Sequence, residues 1–411
     1  MAKSSIGAAD APGDTLGRLR APSVSVVVCL FIIGLNLRPA LSSVASILAS
    51  VQQALGISAG AAGMLMTLPV LCFGLFAPPA ARLANRYTID RVLLYGLLAL
   101  TAGLAMRIFF GPVGLFAGTI LAGAAIGAVM VLVPSVIKRD LPRQAGFMTG
   151  LYTMAVCAGA SLAAGATVPL QEYAGGDWRT ALGAWAIPAA LSAWAWRWKM
   201  RRHPAGGAAQ RSTAHGVYSD SLAWQVTLYM GLQSAIAFMV FAWLPSILIE
   251  RGMDPAASGY MMSLIFACQI LTALTAPSMG NWGRDQRFIA AFFFVITVVG
   301  LLGCLEGPLT ASWFWGTVVG LGMGGTFSIA MAMIVWRSAD PEAAAALSGM
   351  VQGVGYFIAA LGPLAIGIAR ERTGDWSFLG VTLLLLCIPG VLSAMGAGRK
   401  LHIGVKGRRA G

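Results

Sequence analysis

Charged residues are scarce in this chain of 411 residues: they make up 10% of it, against about 25% in an ordinary soluble domain. A water-soluble fold needs more charged residues than this to cover its surface. The composition therefore excludes a soluble protein. Hydrophobic residues reach 58%, and long apolar runs recur from Val24 to Ala397 with short polar breaks. Because the period-2 alternation of a β-barrel is absent, the sequence predicts an all-α membrane protein.

Residues that could perform catalysis or hold a metal inside a membrane are also few. His203 and His215 lie in a polar linker and His402 lies near the C-terminus, so none can relay a proton within a span. The six cysteines fall inside apolar runs without paired spacing, so we expect neither a disulfide framework nor a metal cluster. No Walker or Rossmann motif accompanies the 51 glycines. The sequence therefore predicts that the chain is not an enzyme and takes no cofactor.

Acidic residues are outnumbered, because 15 Asp and Glu stand against 28 Lys and Arg, for a net charge of +13. In a soluble chain this excess would suggest nucleic acid as a partner. Here 22 of the 28 basic residues lie in the tails, the central linker and alternate loops, which is the asymmetry of cytoplasmic loops. We therefore expect both termini in the cytoplasm, no nucleic-acid partner, and a monomer whose partners are the lipid bilayer and a small-molecule substrate.

Charge clusters and Gly or Pro turns divide the sequence into twelve predicted spans of about 20 residues. They lie near 23–45, 60–81, 91–110, 113–136, 145–169, 178–198, 222–249, 257–279, 287–305, 311–335, 343–368 and 377–397. The predicted units are a tail over 1–22, six-helix bundles over 23–198 and 222–397, a linker over 199–221 and a basic tail over 398–411. Because the first apolar stretch is longer than a signal-peptide core of about 7 to 15 residues, we expect a retained span.

Matches at nearly one offset indicate that the two halves are internal repeats. The matched pairs are Ala77-Pro78 with Ala276-Pro277, Gly150 with Gly349, and Gly176-Asp177-Trp178 with Gly374-Asp375-Trp376, at offsets of 199, 199 and 198. In the last pair Asp can cap the following helix and Trp can lie at the membrane interface. Two six-helix repeats around a midplane site are typical of secondary transporters, which use an ion or substrate gradient.

Two motifs carry a family resemblance. The loop Ala81-Arg82-Leu83-Ala84-Asn85-Arg86 resembles the cytoplasmic Gly-x-Leu-Ala-Asp-Arg signature of the major facilitator superfamily, with Asn85 where the signature has Asp. The first-span stretch Gly34-Leu35-Asn36-Leu37-Arg38-Pro39-Ala40 is similar to the Asn-Leu-Arg-Pro signature of the cyanate and 2-nitroimidazole transporter family. The resemblance implies the major facilitator fold of two pseudo-symmetric six-helix bundles, in a permease of the bacterial inner membrane for a small anion or heterocycle. It also implies a gating role for Arg82, Asn85 and Arg86.

Arg38 is the one charged residue that we place in the interior of a predicted span and not at its end. A mid-span guanidinium costs at least about 2.5 to 3.5 kcal/mol and generally faces a cavity or a partner. No Asp or Glu lies inside a span to pair with it, which points to an anionic ligand that the planar fork could bind. The alternatives are hydrogen bonds to carbonyls freed by Pro39, or snorkelling of the side chain. Asn36 lies on a different helical face and could contact the ligand or a neighbouring helix.

Polar stripes at helical spacing supply further candidate binding residues. Gln225, Tyr229 and Gln233 follow i, i+4, i+8 in the seventh span, as do Ser348, Gln352 and Tyr356 in the eleventh. Such side chains can line a binding site or form hydrogen bonds between helices. The candidate set, completed by one residue from the fifth span and one from the eighth, is Arg38, Asn36, Tyr152, Gln233, Gln352, Tyr356 and Gln269.

Three classes of function remain to be weighed: a secondary transporter for a small anion, an exporter of neutral heterocycles or other drugs, and a membrane enzyme. The enzyme lacks an assembled set of catalytic residues. Cation exporters of the superfamily commonly use a membrane-embedded carboxylate, which this sequence lacks. We therefore expect a transporter of a cyanate-like or carboxylate-like anion that works by alternating access, with neutral heterocycles as the alternative substrates.

Overall fold

The computed structural model of the protein describes residues 24–57, 59–202, 217–280 and 285–403. The predicted tail over 1–22 and the linker residues His203 and His215 lie outside this part of the chain. The α-helices within it are α1 Val24–Leu37, α2 Pro39–Ser46, α3 Leu48–Leu55, α4 Ala59–Arg86, α5 Ile89–Met106, α6 Gly111–Asp140, α7 Ala145–Tyr173, α8 Trp178–Gly183, α9 Ala186–Arg202, α10 Ser221–Glu250, α11 Pro255–Met279, α12 Arg287–Glu306, α13 Ser312–Arg337, α14 Pro341–Thr373 and α15 Phe378–Ala397.

Eleven helical segments in the described residues are long and apolar enough to cross a membrane. The all-helical membrane protein that the composition predicts is therefore confirmed. The sixth predicted span, 178–198, is occupied by α8 and α9, which meet at Ala184 and Trp185. α9 has 17 residues and is not among the eleven segments.

Aspartates at helix starts explain several of the helix boundaries. Asp177 precedes α8, and its carboxylate accepts hydrogen bonds from the backbone N–H groups of Arg179 and Thr180. Asp220 caps α10 in the same way, and Asp340 caps α14, whose first residue is a proline. Each carboxylate pairs N–H groups that have no partner inside the helix. The capping role predicted from the Gly-Asp-Trp repeat is thus confirmed for Asp177.

The first span is broken at its signature motif. α1 ends at Leu37 and α2 begins at Pro39, with Arg38 at the junction. Pro39 cannot donate a backbone hydrogen bond, and its ring interferes with the preceding turn, so an interior proline interrupts a helix. The kink leaves the Arg38 side chain at the boundary between two helical segments.

The two halves meet through their predicted repeat residues. We call the end of the bundle at which Arg82, Arg139 and Arg399 lie the basic end. Close to it, a Cβ atom added to Gly349 of α14 would lie 2.8 Å from the Cβ atom of Ala81, and one added to Gly150 of α7 would lie 2.4 Å from the Leu274 carbonyl oxygen. The matched glycines therefore bring α14 against α4 and α7 against α11. Backbone contact this close requires glycine, and it closes the bundle toward the basic end.

Candidate functional site

A cavity lies between the two halves, on the far side of these close contacts from the basic end. The empty space inside it, together with the open solvent at its mouth, is about 500 Å³. Most of its lining is apolar, which is the usual composition of a small-molecule site. The polar lining residues are Arg38, Gln233, Ser234, Gln269 and Tyr356, and the aromatic ones besides Tyr356 are Phe238, Phe241, Phe266 and Phe327.

Arg38 contributes the positive charge of the cavity wall. Its guanidinium carbon lies 5.8 Å from the centre of the Phe327 ring. The Nε atom is buried and has no hydrogen-bond partner among the described residues. None of the ion pairs found in that part of the chain includes Arg38. A carbonyl next to Pro39 is bonded by a different arginine, because Nη1 of Arg107 donates to the Ala40 carbonyl over 2.7 Å.

Two tyrosines lie beside Arg38, one from each half. Tyr356 lines the cavity, where its ring contacts Phe73 and Phe238 with centroid distances of 5.8 and 6.4 Å. Tyr152 lies behind the wall, with its ring against Gly34 of α1. Both hydroxyl groups are buried and have no partner in the described structure. Each could donate a hydrogen bond to a bound acceptor after a small rearrangement.

The two glutamines of the cavity differ in how far they are already paired. Nε2 of Gln233 donates to the Ser234 hydroxyl over 2.7 Å, which holds the amide against its own helix. Nε2 of Gln269 is buried and, among the described residues, has no acceptor. The Gln269 amide is therefore free to bond a ligand, whereas Gln233 would first have to exchange a partner.

Other predicted residues lie away from the cavity wall. Nε2 of Gln352 donates to the Met130 carbonyl across the interface between the halves and to the Ser348 hydroxyl. Asn36 donates to the Ile32 carbonyl of its own helix. It points to a different helical face from Arg38 and so does not reach the cavity. Of the predicted stripe in α10, Gln233 reaches the cavity, whereas the Tyr229 hydroxyl donates to the Ala290 carbonyl within the second half.

The predicted gating motif lies at the basic end, at the close of α4. Arg82 and Arg86 are exposed, and the Arg86 guanidinium lies 5.9 Å from the Tyr87 ring centre. The backbone of Asn85 belongs to α4, and its side chain lies outside the described part of the structure. The gating role of the three residues stays a prediction.

A buried ion network at the basic end escaped the sequence analysis. The Asp90 carboxylate accepts hydrogen bonds from Arg139 at 2.6 Å and from Lys199 at 3.1 Å, and Asp140 pairs with both cations. The Lys199 side chain is 4% exposed. The network ties α5, α6 and α9 together within the first half. Each residue ends a predicted span or adjoins a loop, where charge is ordinary, so spacing gives no sign that these charges are buried.

Arg107 is a further buried charge that the sequence does not reveal. It lies directly after α5, is 1% exposed and donates to the backbone of α2. In sequence it resembles an ordinary loop arginine at the end opposite the basic one. Its burial follows from Gly118 of α6, where an added Cβ atom would lie 3.0 Å from the Arg107 side chain. Arg107 thus holds α2, which carries the residues directly after Arg38.

The eleven membrane-spanning helical segments of the described residues and the cavity at their centre are the architecture of a membrane transporter. The sequence profile of the Major Facilitator Superfamily matches residues 26–363. The chain belongs to this superfamily. A solved proton:xylose symporter, XylE, has the same fold, with a TM-score of 0.74 at 12% identity over 90% of this chain and 94% of that one.

Two curated relatives from Escherichia coli K12 confirm the resemblance seen in the first span. A 2-nitroimidazole transporter is 34% identical over 92% of this chain and 97% of its own length. A cyanate transport protein is 31% identical over 89% of this chain and 95% of its own length. The chain is therefore a relative of the cyanate and 2-nitroimidazole transporters and is similar to each along nearly its whole length.

Proposed function

We propose that the protein is a secondary active transporter that moves a small organic or inorganic anion across the inner membrane of a bacterium. The observation that carries this proposal is Arg38, a cation in the cavity wall that has no carboxylate partner among the described residues. A partly buried guanidinium that faces a mostly apolar cavity without a counter-ion is unfavourable, and an anionic substrate would neutralise it. Gln269 and Tyr356 would donate further hydrogen bonds, with Gln233 and Tyr152 nearby.

The proposed mechanism is alternating access by the protein as a monomer with both termini in the cytoplasm. In this orientation the basic end is cytoplasmic, and the structure corresponds to a state closed on that side. The halves would rock against each other about the cavity, opening the contacts of Gly150 and Gly349. Within each half, ties such as the Asp90 network would persist, so each half would move as a unit.

Export of a small neutral heterocycle is the second candidate function. The apolar and aromatic lining favours it, since four phenylalanines surround five polar side chains. One of the curated relatives is named a 2-nitroimidazole transporter, which supports the same candidate. Under this function the amides and hydroxyls would bind the ring, and Arg38 would not set the affinity.

Binding and uptake measurements on the reconstituted protein separate the two functions. We would titrate cyanate, acetate, benzoate and 2-nitroimidazole into wild type and Arg38→Ala, with Arg179→Ala as an exposed arginine control. Proteoliposomes would report uptake of the ligands that bind. We expect anions to bind wild type and the control and to lose binding to Arg38→Ala. Binding of 2-nitroimidazole alone, equal in all three proteins, would overturn the anion proposal and establish the alternative.

A further inference from the structure

The cavity has two layers, and their chemistry differs. Along α10, Gln233 comes before Phe238 and Phe241, and this helix starts at the basic end. Along α11, which runs the opposite way, Phe266 comes before Gln269. In both helices the amide therefore lies nearer the basic end than the phenyl rings, by about 5 Å for Phe266 and by about 8 to 12 Å for Phe238 and Phe241 along the helix axis. The polar layer, with Phe327 beside Arg38, forms the base of the cavity, and the other three phenyl rings lie toward its mouth.

The base offers hydrogen-bond donors that have no acceptor in the described structure. They are Nε of Arg38, the hydroxyl of Tyr356 and Nε2 of Gln269, and the last two side chains are 2% and 7% exposed. A guanidinium has donors alone, and a carboxylate has acceptors alone. Three donors on one cavity wall, one of them charged, match the two oxygens of a carboxylate better than a ring that carries both donors and acceptors.

The aromatic layer offers ring faces and edges at stacking distance. Phe241 and Phe266 are stacked with centroids 5.2 Å apart and an interplanar angle of 28°. Phe238 meets Phe241 edge-on at 6.4 Å and 75°. Aromatic rings favour such offset and edge-on arrangements with each other over contact with saturated groups. A triatomic anion bound at the base would not reach this layer.

We propose that the substrate is a planar aromatic monocarboxylate, with its carboxylate on Arg38, Tyr356 and Gln269 and its ring among Phe238, Phe241 and Phe266. This inference rests on the proposed anion transport and names the class of anion. The single charge follows from the single cation among the described residues of the cavity wall. The size follows from the roughly 5 to 8 Å that separate each amide along its helix from the nearest phenyl ring, a distance that a benzoate-sized molecule spans.

Four probes of matched size or charge test the assignment by calorimetric titration of the reconstituted protein. Benzoate is the expected class, cyclohexanecarboxylate keeps charge and size without planarity, benzamide keeps the ring without charge, and acetate keeps the carboxylate alone. We expect benzoate to bind at least tenfold more tightly than each of the others. Equal affinity for benzoate and cyclohexanecarboxylate, both dependent on Arg38, would overturn the aromatic inference and leave anion transport standing. Equal affinity for benzoate and benzamide, unchanged by Arg38→Ala, would overturn both.

Variants assign the two layers separately. Phe266→Leu keeps apolar volume but removes the ring, so we expect it to bring the affinity for benzoate close to that for cyclohexanecarboxylate while acetate binding stays unchanged. Tyr356→Phe should weaken benzoate about tenfold and leave benzamide unaffected. Phe288→Leu is the matched control, because this ring lies on the outer surface and is 80% exposed. It should change neither the affinity for benzoate relative to cyclohexanecarboxylate nor that relative to benzamide. A Phe266→Leu protein that keeps its preference for benzoate would contradict the proposed ring position.

Discussion

Arg38 and Phe327 face each other across the two halves of the molecule, with 5.8 Å between the guanidinium carbon and the ring centre. Arg38 follows α1 and Phe327 belongs to α13, so the pair joins the signature motif of the first span to the tenth predicted span. A cation over a ring face is stabilised by the ring quadrupole without being neutralised. The contact therefore holds the guanidinium in the cavity while leaving its charge available to an anion.

Replacement of Arg38 should affect binding in two graded steps. Arg38→Lys keeps the charge and loses the planar fork, so we expect weaker anion binding. Arg38→Ala should largely abolish it, since a hydrogen bond to a charged group contributes about 1.5 to 3 kcal/mol, a 10-fold to 150-fold change in Kd. Isothermal titration with the bound anion measures both. Unchanged affinity in Arg38→Ala would show that the residue is structural.

Packing of α7 against the broken first span predicts a stability difference between two glycines of one helix. A Cβ atom at Gly159 would lie 2.1 Å from the Leu35 carbonyl oxygen, whereas one at Gly165 meets no atom within 4 Å. We expect Gly159→Ala to destabilise the protein by about 1 to 3 kcal/mol because the backbones must separate. Gly165→Ala should keep the unfolding temperature or raise it, since Ala favours a helix interior more than Gly does. Thermal unfolding in one detergent compares them, and equal unfolding temperatures would contradict the close approach of α7.

The buried network at the basic end predicts a large effect of a single neutral substitution. Asp90→Asn removes the carboxylate between Arg139 and Lys199 and leaves Lys199 with Asp140 at 3.4 Å. Breaking a buried ion pair costs about 3 to 5 kcal/mol, so we expect strong destabilisation. Asp285→Asn is the control, because its pair with Arg287 is more exposed and should contribute about 1 kcal/mol or less. Similar losses in the two variants would mean that the network is solvated.

Cysteines at Ala81 and Gly349 should lock the halves at the basic end. Their Cβ positions are 2.8 Å apart, and a disulfide needs about 3.5 to 4.5 Å, so a small separation of α4 and α14 suffices. After oxidation we expect transport to stop while substrate binding persists, and reduction should restore transport. Transport by each single-cysteine variant should not change when oxidant is added. Transport at the wild-type rate through a fully oxidised pair would rule out rocking about this contact.

His402 makes the docking of the C-terminal segment sensitive to acid. Burial, with the nearby charges of Lys138 and Arg337, holds the pKa of His402 below its usual value of 6.5. The undocked segment therefore binds more protons as the pH falls below about 6.5, and docking through the hydrogen bond from Ile403 N to the Arg337 carbonyl weakens. Its full strength is present above that pH.

Hydrogen exchange measures this docking, with rates corrected for the intrinsic effect of pH. From about pH 7.5 to about pH 5.5 the amide protection of residues 399–403 should fall in wild type. His402→Asn, which does not titrate in this range, should show no such fall. Protection that falls equally in both proteins would assign the pH dependence to another group.

The sequence predicted the spans and much of the cavity because apolar length and an isolated charge are local signals. Arg38, Gln233, Gln269 and Tyr356 all line the cavity, and the repeat glycines Gly150 and Gly349 mark the contacts between the halves. Asn36 and Gln352 do not reach the wall. Their orientation depends on helix rotation and on neighbours such as the Met130 carbonyl, which periodicity cannot specify.

The burial of Arg107 and the Asp90 network could not be predicted for a related reason. A charge near the end of a span is equally compatible with solvent and with a neighbouring helix, and the choice depends on which helices pack there. Gly118 makes room for Arg107 from a helix that comes later in the sequence. The phenylalanines of the cavity were missed because a Phe in an apolar helix is ordinary, and nothing local distinguishes a lipid-facing ring from one in a binding site.

Cys157 belongs to α7 and lines the same cavity as Arg38. The residue is 9% exposed in this state, so alkylation by a membrane-impermeant thiol reagent would require the cavity to open further, and its rate would report the fraction of molecules open on that side. A ligand in the cavity would shield the sulfur. The wild-type chain thus carries its own label for following access in intact cells, without an engineered cysteine.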